Sequence, residues 1–300
     1  MGFSNPVYGN NFADPDVIAV GDEYYAFATN GPLGNLQTLR SKDLVTWEQV
    51  GDALPRLPAW TSPGRVWAPE IAVHAPDRYV AYYTTAHNES HRQCIGVAVA
   101  SKPEGPYVDT SSAPLICQQD EGGSIDASPF EDSTGQRWLY WKNDGNAIGV
   151  DTWIYVSKLS ADGLRLEGEP TRLIKQDLPW EGNLVEAPYM LERNGTFHLF
   201  YSANAFDKPS YAVGHAVCES PSGPCRKSGD PILSSSDDAA GPGHNMVLRK
   251  GDRYWFVYHA WDPALVGVDP PGRTMWLSEL TWDGDQPHVQ PPLHQNPAHP

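Results

Sequence analysis

The chain has 300 residues, a formal net charge of −16, 27 Gly and 28 Pro, and 11 Trp, 14 Tyr and 8 Phe. Breakers this frequent and this evenly spread exclude a fold of long helices, and so many aromatics exclude a disordered chain. The negative charge argues against nucleic acid and anionic membrane surfaces as partners, and no apolar run approaches the ~18 residues of a membrane helix.

Taken in chain order, the sequence repeats one plan five times. Each unit has a Pro-bearing or polar entry, a short apolar strand, a turn and an aromatic-rich strand. The units open at Asp14–Val20 with Tyr24–Thr29, Ala68–Val73 with Tyr79–Thr84, Ala127–Phe130 with Trp138–Trp141, Ala187–Leu191 with Phe197–Tyr201, and His244–Leu248 with Tyr254–Tyr258. Val17, Ile71, Phe130, Tyr189 and Met246, taken as equivalent positions, are 54, 59, 59 and 57 residues apart. Gly- or Asp-bearing turns, such as Gly21-Asp22 and Asn194-Gly195, join the two strands. A third strand follows in each unit, at Gln37–Ser41, Gln93–Ala100, Trp153–Ser157, Tyr211–Val217 and Thr274–Ser278, and then a weaker fourth, clearest at Trp47–Val50 and Tyr107-Val108. Four strands at a period of roughly 50 residues predict an all-β, five-bladed β-propeller with four antiparallel strands per blade. It fills the chain as a single catalytic domain, residues 1–300, although length alone would allow two domains. A two-sheet sandwich with accidental spacing is the alternative.

Four cysteines fall as the pairs Cys94/Cys117 and Cys218/Cys225. Neither pair has the C-x-x-C spacing of a metal or redox site, and a Pro/Gly turn between Cys218 and Cys225 brings those sulfurs within bridging range. One or two disulfides are expected, hence an oxidising, extracellular setting. The opening Met1–Pro6 is not a signal peptide, as expected of a mature secreted form. The sequons at Asn88 and Asn194 decide nothing.

In a propeller the first strand of each blade lines the central channel, so residues at five distant positions converge on one mouth. Those positions read Asp14, Glu70, Asp126, Glu186 and His244, with Asp16 and Asn245 beside them. Packing does not require acids there, because buried unpaired carboxylates are costly. Clustered carboxyls shift one another's pKa values apart, which suits acid/base chemistry. With no Gly-x-Ser-x-Gly elbow and no phosphate loop, the cluster points to cleavage of a glycosidic bond. Trp60, Trp67, Trp180 and Trp261 lie near unit starts; Trp67 is expected to stack on sugar and the others to belong to the core. A non-catalytic sugar-binding propeller is the reading from another class, but it has no need of three acids.

Ala13–Asp16, Ser41–Trp47, Val66–Glu70, Ile125–Phe130 and Val185–Pro188, in this order and spacing, resemble glycoside hydrolase family 43, the five-bladed arabinanases, arabinofuranosidases and β-xylosidases. The resemblance implies that Asp14 is the general base, Glu186 the general acid, and Asp126 the residue that orients the acid and raises its pKa, acting with inversion. It implies no cofactor for the chemistry, but a calcium or other ion near His244 on the channel axis, held largely through water. It places Arg273 at the sugar pocket, the alternative being a surface cation, and it gives Glu70 no catalytic role. No C-terminal β-sandwich follows Trp282, which lowers the β-xylosidase reading. The expected substrate is arabinan, arabinoxylan or their oligosaccharides, cut by a monomer acting as an exo-1,5-α-L-arabinofuranosidase. β-Xylosidase and endo-arabinanase remain the alternatives. A fructan hydrolase would open on Asn-Asp-Pro-Asn-Gly, which Asp14–Val17 lacks.

Overall fold

A computed structural model describes residues 2–300. Strand β1 (Phe3–Ser4) precedes the first blade, β2 (Asp16–Val20), β3 (Glu23–Ala28), β4 (Gln37–Ser41) and β5 (Trp47–Asp52). The second blade is β6 (Trp67–Ala75), β7 (Arg78–Ala86) and β8 (Gln93–Ala100). The third is β9 (Ser124–Glu131), β10 (Arg137–Asn143), β11 (Trp153–Leu159) and β12 (Leu166–Lys175), and the fourth is β13 (Val185–Arg193), β14 (Thr196–Ala203), β15 (Ala212–Cys218) and β16 (Cys225–Lys227). The fifth is β17 (Ala240–Lys250), β18 (Arg253–Trp261), β19 (Thr274–Asp283) and β20 (Gln286–Val289), after which β21 (Gln295–Asn296) ends the described strands. Each blade is an antiparallel meander in sequence order.

The second blade departs from the expected four strands. Where Tyr107-Val108 is expected to start the fourth, only isolated bridges meet the outer edge of β8, Val99 to Val108 and Ile95 to Ile116. Pro103, Pro106 and Pro114 surround them, and a residue without an N–H cannot extend a ladder.

Strands β2, β6, β9, β13 and β17 pack against one another in a closed ring. Five apolar clusters fill the blade–blade interfaces, one per junction; Leu39 and Val17 meet Trp255 and Met246 between the first and fifth blades. The aromatic second strands supply their bulk: Tyr82, Tyr140, Trp141, Tyr201 and Trp255 are fully buried. The ring closes through the N-terminal segment. β1 pairs with β21, the Asn5 side chain bonds both N–H and C=O of Leu277, and Phe12 N–H donates to Arg273 C=O at 2.7 Å. That segment runs beside β19 and holds Asp14 against the fifth blade. Both cysteine pairs are joined as disulfides, Cys94–Cys117 and Cys218–Cys225.

Candidate active site

One residue near the start of each innermost strand adopts the left-handed region: Asp14 (φ 56°), Ala68 (44°), Asp126 (59°), Ala187 (51°) and His244 (51°). Such a conformation costs a non-glycine residue roughly 1–2 kcal/mol, and its recurrence in every blade marks the mouth as a place where backbone is bent for a purpose. The bend breaks strand alternation, so two successive residues reach the channel mouth. Asp14, Asp126 and His244 from the bend, and Trp67, Ile125 and Glu186 from the position before it, line one cavity of about 370 Å³.

These bends correct the repeat register. Two residues beyond them stand Asp16, Glu70, Ser128, Tyr189 and Met246, each opposite an equivalent position of the second strand. Glu70 is therefore the counterpart of Asp16, deeper along the channel, and not of Asp14. Bulges at the start of the inner strands obscure this in the sequence.

Side chains from the second strands hold the bends. Each bend's N–H is received by a side chain of the preceding blade: Thr29 Oγ1 for Ala68 (2.9 Å), Thr84 Oγ1 for Asp126 (3.3 Å), Ser202 Oγ for His244 (2.8 Å) and His259 Nδ1 for Asp14 (3.1 Å). At the remaining junction the equivalent residue is Lys142, which has no acceptor to offer. Ala187 N–H goes instead to Asp126 Oδ2 at 2.9 Å, tying the backbone beside Glu186 to Asp126.

Asp14 is buried, which on its own would raise its pKa, but Arg273 and His244 hold it well below the ordinary carboxylate range. Arg273 Nη1 lies 2.9 Å and His244 Nδ1 3.2 Å from Oδ1, while Thr29 donates to Oδ2 at 2.5 Å. Burial opposes charge on His244, yet Asp14, Asp126 and Glu186 overcome it and raise the ring to about 9. His259 behaves oppositely: burial and Arg273 push it down to about 4, so the ring is neutral and its Nδ1 accepts the Asp14 N–H. Burial, reinforced by the charge of Glu186, pushes Asp126 up to about 7. Glu186 accepts Tyr211 O–H at Oε1 (2.7 Å) and Lys142 Nζ at Oε2 (3.2 Å). Tyr211 also stacks on His259 with ring centroids 5.7 Å apart, so one ring bridges the surroundings of Glu186 and Asp14. A Cβ on Gly243 would lie within 2.1 Å of that ring, which explains the glycine.

The structure brings together all six sequence-selected residues: Asp14, Trp67, Asp126, Glu186, His244 and Arg273 line the same cavity. Arg273 is thus no surface cation. Trp60 and Trp261 are core, 5% and 6% exposed, and Trp180 packs on Tyr201. The sequence reading missed Lys142, Tyr211, Thr29 and His259, and it missed Phe206, which is 46% exposed and covered by the Arg273 guanidinium at 4.5 Å. One signal was available: at or near their ends the aligned second strands carry Thr29, Thr84, Ser202 and His259, and only Lys142 breaks that series of acceptors.

The sequence profile of Glycosyl hydrolases family 43 matches residues 3–287. The chain belongs to that family. As a family 43 chain it is a glycoside hydrolase, and its neighbours agree. The crystal structure of a thermostable family-43 glycoside hydrolase superposes with a TM-score of 0.89 at 30% identity, covering 99% of both chains. The β-D-galactofuranosidase xynD of Aspergillus niger is 28% identical over 85% of this chain and 75% of its own length. The extracellular exo-α-(1→5)-L-arabinofuranosidase of Streptomyces chartreusis is 28% identical over 89% of this chain and 85% of its own. The chain spans about half the length of several other curated relatives it matches.

Glu70 serves to separate structure from chemistry within this family 43 site. Burial, then the neighbouring Asp16 carboxylate, raise its pKa well above 4.5, and Ser128 donates to its Oε2 at 2.8 Å. A carboxyl whose folded pKa is raised is cheap while protonated and destabilises increasingly as pH climbs above its unfolded value. Glu70→Gln keeps the acceptor and removes the charge. It should raise the melting temperature more at pH 8 than at pH 5 and keep turnover within about fivefold; thermal unfolding at the two pH values, with rates alongside, checks this.

Proposed function

We propose that this chain is an inverting exo-acting α-L-arabinofuranosidase that releases arabinose from arabinan, arabinoxylan or their oligosaccharides. The observation that carries the reading is the convergence of Asp14, Asp126 and Glu186, from three blades, on one cavity. Asp14, held ionised by Arg273 and His244, takes the proton from the attacking water. Glu186 gives its proton to the glycosidic oxygen as the bond from C1 to that oxygen breaks. Water adds to C1 from the opposite face, so the sugar leaves with inverted configuration. Glu186 ends as carboxylate and Asp14 as acid, and exchange with solvent resets both. Asp126 acts through its bond to Ala187 N–H, which fixes the backbone beside the acid, and through its own charge. Trp67, under the Arg65 guanidinium at 5.2 Å, and Phe206, under Arg273, offer faces to apolar sugar edges.

Two relatives, from Streptomyces chartreusis and Aspergillus niger, are named for furanosides, which favours a five-membered sugar. The cavity is near the small end of ligand pockets, roughly 300–1,000 Å³, as suits one terminal sugar rather than a polymer groove. Two disulfides and relatives named extracellular support action outside the cell on plant cell-wall polysaccharide, and we take the chain to act as a monomer. The side chains do not fit a directly ligated ion at the axis. His244 Nδ1 is engaged with Asp14, leaving only Nε2. Among the described residues the one group of three metal-binding side chains is His87, Cys94 and Cys117, two of which form a disulfide. An axial ion is therefore proposed only as a water-held one, outside the chemistry. The test is hydrolysis of aryl α-L-arabinofuranoside, aryl β-D-xyloside and debranched arabinan side by side. The first is expected to be cut fastest; no turnover of any of them would overturn the reading.

A further inference from the structure

We propose that Lys142 is a positioning residue for the general acid, whose buried ammonium stabilises the Glu186 carboxylate left when the proton has gone to the leaving group. The inference rests on the reading of Glu186 as acid. Lys142 stands at the end of β10, where three of the other blades carry Thr29, Thr84 and Ser202, and one carries His259, each receiving the N–H of the next blade's bend. Packing at this position is met by a small hydroxyl in three blades and by an imidazole in one, and the bend that Lys142 faces has found another acceptor in Asp126. A lysine here therefore does no work for the ring. Its side chain is fully buried, a costly place for a cation without a matched partner.

The partners found are Glu186 Oε2 at 3.2 Å, Asn146 Oδ1 at 2.6 Å and, more distantly, Asp144 Oδ1 at 3.8 Å. Asp126, on β9, adds its charge to the surroundings, and Arg65 and Arg92 act on Asp144 from the second blade. Asn146 and Asp144 fix where the ammonium sits, and Glu186 is the one of the three assigned a change of charge during turnover. As the proton moves from Glu186 to the departing oxygen, negative charge grows 3.2 Å from a fixed cation in a water-poor site, an interaction stronger late in the step than before it. No bond is made or broken by Lys142 itself.

This role predicts a dependence on the leaving group. Aryl glycosides with strongly acidic phenols need little protonation; those with weakly acidic phenols, and natural oligosaccharides, need it fully. Lys142→Gln should lower kcat roughly 10- to 100-fold on poor leaving groups, the scale of a lost hydrogen bond to a charged group, and only a few-fold on the best ones, with KM little changed. Lys142→Arg should restore part of the loss. In a Glu186→Gln background, which has no proton to give, adding Lys142→Gln should cost almost nothing further. A Lys142→Gln variant that loses rate equally on all leaving groups, or costs as much with Glu186→Gln as without it, would overturn the inference. Should Glu186→Gln itself lack the leaving-group pattern, the acid assignment fails and not the role of Lys142 alone. Thermal unfolding of each variant identifies any that lose rate by failing to fold, and Lys142→Arg then carries the test.

Discussion

Replacing Glu186 by Gln is expected to lower kcat on arabino-oligosaccharides by roughly 100- to 10,000-fold, the usual contribution of a general acid. Gln keeps the shape and can still accept the Tyr211 hydroxyl, but it carries no proton for the glycosidic oxygen. The loss should appear in kcat and kcat/KM alike, because the interaction exists only as the bond breaks. Kinetics against a series of leaving groups checks this, and a variant near the wild-type rate would remove Glu186 from the acid role.

Asp14→Asn should be as damaging, by at least roughly 1,000-fold, and should also cost stability. The carboxylate is the counter-charge of Arg273 and of a His244 raised to about 9. Removing it leaves two buried cations facing an amide, a loss on the order of 3–5 kcal/mol. The sign against pH follows from the two partners. Asp14, lowered well below 3.8, contributes stability that is complete above that value and lost as pH falls through its folded pKa. His244 contributes stability complete below 6.5 and lost as pH rises through about 9. The melting-temperature gap between wild type and Asp14→Asn should therefore be widest between about pH 4 and 7. It should narrow above pH 9, where only Arg273 remains charged. Thermal unfolding at pH 5, 7 and 10 measures it, and a gap that widened above pH 9 would contradict the pairing.

The propeller was legible because Gly/Pro turns and aromatic second strands repeat at a period that one blade explains. The acids were legible because Asp14, Asp126 and Glu186 sit in short motifs at blade starts. Glu70 was misread as a counterpart of Asp14, since the left-handed bends and the bulges beside them leave no mark in hydrophobic periodicity. Aligning Asp14-Pro15 with Ala68-Pro69 and Ala187-Pro188 would have set the register and paired Glu70 with Asp16. Thr29, His259 and Lys142 escaped for a different reason. Their roles depend on cross-strand register and on the next blade, neither of which is local in sequence. Phe206 comes from the β14–β15 loop, whose path no periodic pattern describes, while Tyr211, expected to open the third strand, stands just before β15, and its reach to Glu186 is not local in sequence.

In the proposed reaction Asp14 and Glu186 act from opposite faces of a terminal arabinofuranosyl ring. Proton NMR of aryl α-L-arabinofuranoside hydrolysis, followed from the first turnovers, tests this most directly. β-L-Arabinofuranose is expected as the first-formed sugar, and the α-anomer appearing first would contradict inversion.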